Sequence, residues 1–354
     1  MATFFELQEK NRKKTTWVVA LFVAFFLWLG LGLDLALYFK ARAHTRPVPA
    51  TVYRETSPGS YQEAELPPGA IRPYEKKSKP FRPVFTIVIG LLGASLAWWE
   101  LSSAATTVLK AVRATPVDSD TKGPGRVFHN VVEEMSIAAG MPMPSVWIIP
   151  DRDPNAMAVG LKPGDFHVAA TEGLLLSLTR EELQGVVAHE IAHIKNQDVR
   201  LMTTLTVLVG ISALIAEFVA RCRYHGGSDR SGDDDSRIGS IIFVIWLLTV
   251  LLAPLATRIM ALMVSKEREY LADASAAQFT RNPQALISAL EKISGAAGAT
   301  HSISQASAHL CIASPTAADL SEEEGLFSTH PPMSQRIARL RLIGRGMALA
   351  PSGG

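Results

Sequence analysis

Five consecutive residues carry recognisable chemistry: His189-Glu190-Ile191-Ala192-His193. In a helix, histidines at this spacing lie one turn apart on the same face, where both imidazoles reach one metal ion. The glutamate between them stands beside that ion, placed to take a proton from a metal-activated water. A catalytic zinc needs a third protein ligand and an open position for water. Glu269 is the best candidate, in the helix-patterned run Ser265-Lys-Glu-Arg-Glu-Tyr-Leu-Ala-Asp273. Glu269 and Asp273 share a face. Glu269 is therefore expected on the zinc, and Asp273 on the free ring N–H of a ligand histidine, most plausibly His189, fixing its tautomer. Glu267 competes as a ligand but faces elsewhere on the helix; with Lys266 and Arg268 it is expected on a solvated face. The bland alternative is two helical histidines satisfied by nearby carbonyls beside a charged helix in water.

The helix that presents the histidines has its own start signal. Thr179 can act as N-cap with Glu182 three residues on, a capping box. Leu183, Val186, Val187, Ile191 and Ile194 recur at helical spacing, which marks a buried face. Arg126–Gly140 is amphipathic and reads as a helix. Ser145–Ile149, Asn155–Val159 and Phe166–Thr171 read as short strands, with turns at Pro150–Pro154 and Lys162–Asp165. Leu174–Asn196 reads as two helical stretches split around Ser177–Thr179. Pro283–Ser294 and Pro331–Leu342 are further helices, and Ala296–Gly325 is polar and rich in small residues. The fold class expected is α+β, a small β-sheet packed on metal-bearing helices.

The rest of the composition belongs in a membrane. Of the residues, 48% are hydrophobic and 19% charged. Four stretches approach the roughly 20 apolar residues a bilayer requires: Trp17–Tyr38 with Asp34, Val84–Leu101 ending in Trp98-Trp99, Leu201–Ala220 with Glu217, and Ile241–Val264 with Pro254 and Arg258. A signal peptide is the alternative for the first, with Ala41-Arg-Ala43 as a weak cleavage site, but its apolar core is long for one and a retained anchor is expected. Asp34 and Glu217 lie near span ends, where interfacial placement is expected. The organisation expected is a 1–110 membrane region with two spans and a 41–82 loop, a 111–200 first part of the zinc-binding domain, a 201–264 transmembrane hairpin, and a 265–354 second part with a tail. Such a hairpin returns the chain to the membrane face it left, bringing His189, His193 and Glu269 together. Lys10, Arg12, Lys13 and Lys14 favour a cytoplasmic N-terminus, whereas the basic 41–82 loop opposes a simple count. Two cysteines, Cys222 and Cys311, imply no disulfide framework. A net charge of +2 and the absence of a recognisable motif exclude an argument for nucleic acid.

The motifs together resemble the membrane-bound zinc peptidases of the HtpX type, a group that includes the Ste24-type prenyl-protein peptidases and the Oma1 peptidases. The resemblance rests on His189–His193, Glu269-Tyr-Leu-Ala-Asp273, Pro154-Asn-Ala-Met-Ala-Val-Gly160, Val168-Ala-Ala-Thr-Glu-Gly-Leu-Leu175 and Ser328-Thr-His-Pro-Pro-Met-Ser-Gln-Arg-Ile337, over residues 125–342. It implies a zincin-like metallopeptidase domain fused to about four transmembrane helices, binding one Zn2+. It also implies that Asn155, Ala156, Met157, Ala158 and Val159 form an edge strand for an extended substrate backbone, with Met157 where an aromatic residue is more usual. By motif match, His330 and Arg336 would stand near the tetrahedral intermediate, as donors to its oxyanion. The competing picture is a helix N-terminal turn at His330 and a salt bridge at Arg336. The expected activity is endopeptidase cleavage of membrane or misfolded proteins at the lipid bilayer, on the cytoplasmic face of a bacterial inner membrane, alongside quality-control partners. The alternatives are a CAAX prenyl-protein-type peptidase and a zinc-stabilised membrane scaffold without activity. Glu190 argues against the scaffold, because a purely structural site needs no base between its histidines.

Overall fold

The computed structural model describes residues 4–43, 52–64, 80–207, 266–296, 302–303, 307, 310–313 and 331–349. Two compact units are present. One comprises Met1–Val23, Ala94–Tyr224 and Leu252–Gly354; the other comprises Ala24–Gly93 and His225–Leu251.

The chain opens with α1 (Phe4–Ala43), a hairpin of β1 (Val52–Ser57) and β2 (Ser60–Ala64), and α2 (Val84–Ala111). The hairpin lies inside the 41–82 stretch read as a loop. Its turn is Pro58-Gly59, with Gly59 at φ 86°, a conformation glycine adopts without strain. In the second unit, Asp34 caps the start of α2. Its carboxylate accepts from the Phe85 and Thr86 amides at 3.1 and 2.7 Å and from Thr86 Oγ1 at 2.7 Å. The first turn of a helix leaves its N–H groups without intrahelical partners, and α1 satisfies these from outside. A side chain at Gly30 would strike Phe85 O and Thr86 Cα at 2.5 Å, so glycine there allows the two backbones to approach.

Among the described residues, one helix is long and apolar enough to cross a bilayer, over Asn11–Phe39 of α1. α2 passes only if Val84–Trp99 and Leu101–Ala111, which meet at a bend, count as one span. It also runs further than the 84–101 span read from sequence. The spans expected at 201–220 and 241–264 lie outside the described residues, except 201–207.

In the first unit, a four-stranded sheet has the order β3-β4-β6-β5. Its strands are β3 (Thr115–Val117), β4 (Ser145–Ile149), β5 (Ala156–Val159) and β6 (His167–Thr171). β4 and β6 are parallel and the other pairings antiparallel. β3, absent from the sequence reading, contains Pro116, which an edge strand tolerates. The helices are α3 (Pro124–Ala139), α4 (Glu172–Ser177), α5 (Arg180–Lys195), α6 (described over 198–207), α7 (Lys266–Thr280), α8 (Pro283–Gly295) and α9 (Met333–Leu349).

α5 is buried on almost every side, from Glu182 to Ile194 apart from half-buried Gln184. One core joins Val186, Val187 and Ile191 of α5 to Phe128 and Val132 of α3, Val168 of β6, Ala276 of α7 and Leu286 and Leu290 of α8. α8 comes close because position 185 is glycine: a Cβ there would meet the Leu286 backbone at 2.9 Å. The start of α5 is fixed by the capping box between Thr179 and Glu182. The Glu182 carboxylate also accepts from Ser288 Oγ at 2.6 Å and Lys292 Nζ at 2.7 Å, clamping α5 to α8.

Burial opposes ionisation of Glu182, but Lys292, Ser288 and the Thr179 amide outweigh it and hold the carboxyl down to about 2 from an ordinary 4.5. A carboxyl lowered in the folded state contributes stability that is fully present above its unfolded value. Glu182→Gln is expected to cost about 1–3 kcal/mol at pH 7, read by denaturant unfolding. The gap to the parent should close as pH falls from 4.5 towards 2.

Candidate metal centre and active site

α5 brings His189 and His193 onto one face, with ring centroids 4.6 Å apart and Nε2 atoms 3.1 Å apart. α7 supplies Glu269 opposite them. Its Oε2 lies 3.6 Å from His189 Nε2 and its Oε1 3.4 Å from His193 Nε2. These three ligand atoms form a group that can hold a metal ion, all within 4.8 Å of one another. Glu267 is exposed and takes no part.

The outer nitrogens of both rings face carboxylates. His189 Nδ1 is 2.9 Å from Asp273 Oδ1, and His193 Nδ1 is 3.2 Å from Asp198 Oδ2. A ring that donates from Nδ1 presents a lone pair at Nε2, so both lone pairs converge on one point. The donor set fits zinc: at Zn–N distances of about 2.0–2.1 Å, two tetrahedral nitrogen ligands stand roughly 3.3 Å apart. Without a metal, burial and Arg336 push His189 below its ordinary value, whereas Asp198 and Glu269 outweigh burial and hold His193 up at about 10.

Each carboxylate behind a histidine is itself held. Arg336 of α9, fully buried, donates from Nε to Asp273 Oδ2 at 2.9 Å and from Nη2 to Oδ1 at 2.7 Å. Its Nη1 donates to the Ile312 carbonyl at 2.9 Å and stands 3.5 Å from Glu269 Oε2. Asp198 accepts from Arg268 Nη1 at 3.2 Å and from Asn11 Nδ2 at 2.7 Å. Arg268 was expected in water with Lys266 and Glu267. It is buried instead, because Asp198 gives its guanidinium a counter-charge inside the protein.

Glu190 is 2% exposed, and burial pushes its carboxyl up to about 8, with Glu269 adding and His193 opposing. The Ala158 amide of β5 lies within hydrogen-bonding reach of that carboxylate, so the outer edge of β5 faces the centre. This edge is covered. Ile312 N–H donates to Ala156 O at 2.9 Å, and Met157 pairs antiparallel with Cys311. Asn155, immediately before β5, donates from Nδ2 to Ala313 O at 3.1 Å. Met157 and Val159 are fully buried, and Ala156 and Ala158 nearly so. His330 lies outside the described residues.

The sequence profile of Peptidase family M48 matches residues 125–343. The Protease HtpX homolog of Streptococcus uberis is 40% identical over 259 residues, which is 73% of this chain and 86% of that one. The Protease HtpX homolog of Caldanaerobacter subterraneus subsp. tengcongensis is 38% identical over 247 residues, or 70% and 80%. This chain belongs to peptidase family M48. A solved structure, that of S. mikatae Ste24p, matches at a TM-score of 0.41 and 19% identity, covering 73% of this chain and 58% of that one.

As an HtpX-like M48 enzyme, the protein is a metalloprotease that hydrolyses peptide bonds. Its sequence displays His189, His193 and Glu269 through helical spacing, but three residues around them escaped that reading. Asp198 lies just past the helical stretch read from sequence, which ends at Asn196, and carries no role in that reading. α5 in fact stops at Lys195, and Gln197 at φ 60° turns the chain so that Asp198 comes back under His193. The polar run Asn196-Gln-Asp198 was the available signal for that turn. Arg268 and Asn11 had none, because their partners are distant in sequence.

Removing one partner of a buried ion pair leaves a charge uncompensated. Arg336→Met in this M48 peptidase is therefore expected to cost about 3–5 kcal/mol. Arg336→Lys should recover only part of this, because an ammonium cannot form the paired contacts to Asp273. Chemical denaturation of both variants checks the order.

Proposed function

We propose that the chain is an integral-membrane zinc endopeptidase acting on membrane or misfolded proteins, with zinc on His189, His193 and Glu269. The observation that carries the metal assignment is the convergence of two Nε2 lone pairs whose Nδ1 atoms are both engaged by carboxylates. Zinc, when bound there, polarises the scissile carbonyl and lowers the pKa of the attacking water towards 7.

The chain's own residues do the rest. Glu190 takes the proton of the attacking water and returns it to the leaving amine; it is buried beside the metal ligands, with the Ala158 amide within reach of its carboxylate. Asp273 and Asp198 fix the tautomers of the ligand histidines. Arg336 braces Asp273 through Nε and Nη2 and stands beside Glu269 through Nη1, and its role as an oxyanion donor stays the one proposed from the motif. His330 remains the other donor proposed from the motif. The outward groups of β5, Ala156 O and Ala158 N–H, are those an extended substrate backbone would pair with.

The membrane reading is supported by the Asn11–Phe39 span and by the exposed Trp17, Leu21, Ile87, Leu91, Trp98 and Trp99 on α1 and α2. The 201–264 stretch supplies the remaining two spans as a hairpin. The active site lies on the cytoplasmic face, and the cellular role is protein quality control.

Detergent-purified protein loaded with zinc is expected to cleave casein. Glu190→Gln at matched zinc content should lose about 10²–10⁴-fold in rate. A chelator should abolish cleavage, and zinc should restore it. Equal cleavage by parent and variant would overturn the mechanism. No cleavage by either, with zinc bound one per chain, would favour a narrow-specificity prenyl-protein-type enzyme.

A further inference from the structure

We propose that Asn11, in the N-terminal helix, is a positioning residue for the metal site: it holds Asp198 against His193, so the anchoring helix sets the orientation of one metal ligand. The inference rests on the assignment of His193 as a ligand. Asn11 Nδ2 lies 2.7 Å from Asp198 Oδ1 and 3.3 Å from Asn196 O at the end of α5. Asp198 Oδ2 is 3.2 Å from His193 Nδ1. Asn11 is 6% exposed and Asp198 1%, so water does not replace these contacts.

Local sequence favours no such placement. Asn11 sits in the basic run Lys10-Asn-Arg-Lys-Lys14, whose Arg12 and Lys13 are exposed. A neutral amide turned inward amid solvated cations needs a buried partner, and Asp198 is that partner. The two histidines differ here: the carboxylate behind His189 is pinned by the bidentate Arg336, whereas that behind His193 has single contacts from Arg268 and Asn11. Loss of Asn11 leaves Oδ1 of Asp198 with Arg268 as its remaining hydrogen-bond donor here, at 3.2 Å, and the carboxylate free to tilt towards it. Partners behind a metal ligand affect affinity 10–100-fold.

The test measures zinc affinity by chelator competition and the visible spectrum of the cobalt-substituted protein. It compares the full-length parent, His193→Ala, Asp198→Asn, Asn11→Ala and the Asn11→Ala/Asp198→Asn double variant. Asn11→Ala should weaken zinc binding about tenfold, shift the cobalt bands, and add little in the Asp198→Asn background. Parent-like affinity and bands for Asn11→Ala, or an undiminished effect without the Asp198 carboxylate, would overturn the proposal. If His193→Ala binds zinc like the parent, the ligand assignment itself fails. Asn11→Leu, which keeps the volume and removes the donor, is read in the same way should Asn11→Ala not fold.

Separate contacts carry a second inference: residues 310–313 occupy the substrate's place on β5 and must leave before a substrate binds. The segment pairs with the edge beside Glu190 through Ile312 N–H to Ala156 O and the Met157–Cys311 bridge. It is held from behind by Arg336 Nη1 to Ile312 O and Asn155 Nδ2 to Ala313 O. Leu310, Cys311, Ile312 and Ala313 are all buried, as is Glu190, so a peptide cannot pair with β5 at Ala156 and Met157 while this segment is in place. Hydrogen exchange on zinc-loaded Glu190→Gln, which retains substrate uncleaved, should show amide protection over 310–313 falling when casein is added; unchanged protection with casein bound would overturn the inference. Met157→Cys in a Cys222→Ser background faces Cys311 across the pairing. Its oxidised form should lose casein cleavage and regain it with reductant, whereas an oxidised form that cleaves like the reduced one refutes the displacement.

Discussion

Two imidazole nitrogens 3.1 Å apart in a buried site are the constraint on which the surrounding structure depends. Both present lone pairs, or one carries a proton; neither state is stable in a dry interior without help. Carboxylates behind the rings supply that help, and buried carboxylates need cations in turn. The interior around α5 is therefore layered: ligand nitrogens, then Asp273 and Asp198, then Arg336 and Arg268. Each layer exists because the one inside it could not be buried alone.

This layering explains why the site draws on so much of the chain. Arg336 comes from the last described helix, Arg268 from α7 and Asn11 from the first helix, all converging on α5. Such networks contribute little net stability, since desolvation offsets attraction. Their contribution is geometric: a ring held from behind cannot rotate its metal-binding nitrogen away. Stability comes instead from the apolar faces of α5 against the sheet, α3 and α8, brought close by Gly185.

What was legible in the sequence follows the same division. His189, Glu190 and His193 announced themselves because helical spacing is a local property, and Thr179 and Glu182 marked the helix start for the same reason. Glu269 and Asp273 were found as a pair one turn apart. Asp198 was hidden behind a left-handed residue at Gln197, which composition hints at but does not dictate. Arg268 was misread because a Lys-Glu-Arg run looks solvated until a buried counter-charge is known. The β1–β2 hairpin was overlooked among basic residues despite its Pro58-Gly59 turn, and β3 is too short for its alternation to register. Residues 310–313 belong to a polar, small-residue stretch, and their placement comes from tertiary contacts with β5, Asn155 and Arg336.

The covered edge of β5 bears on what kind of polypeptide such a site admits. The hydrogen bonds made by Ile312 and Ala313 are intramolecular, so a competitor must offer equivalent backbone groups and also meet the entropic cost of association. A folded protein presents few free N–H and C=O groups, because its own ladders and caps occupy them. An unfolded or extracted membrane segment presents them continuously and can exchange strand for strand at small net cost in hydrogen bonding. A peptidase whose cleft is closed by its own strand thus discriminates by backbone availability before any side-chain pocket is consulted. That selectivity is what the proposed action on misfolded or membrane proteins would require.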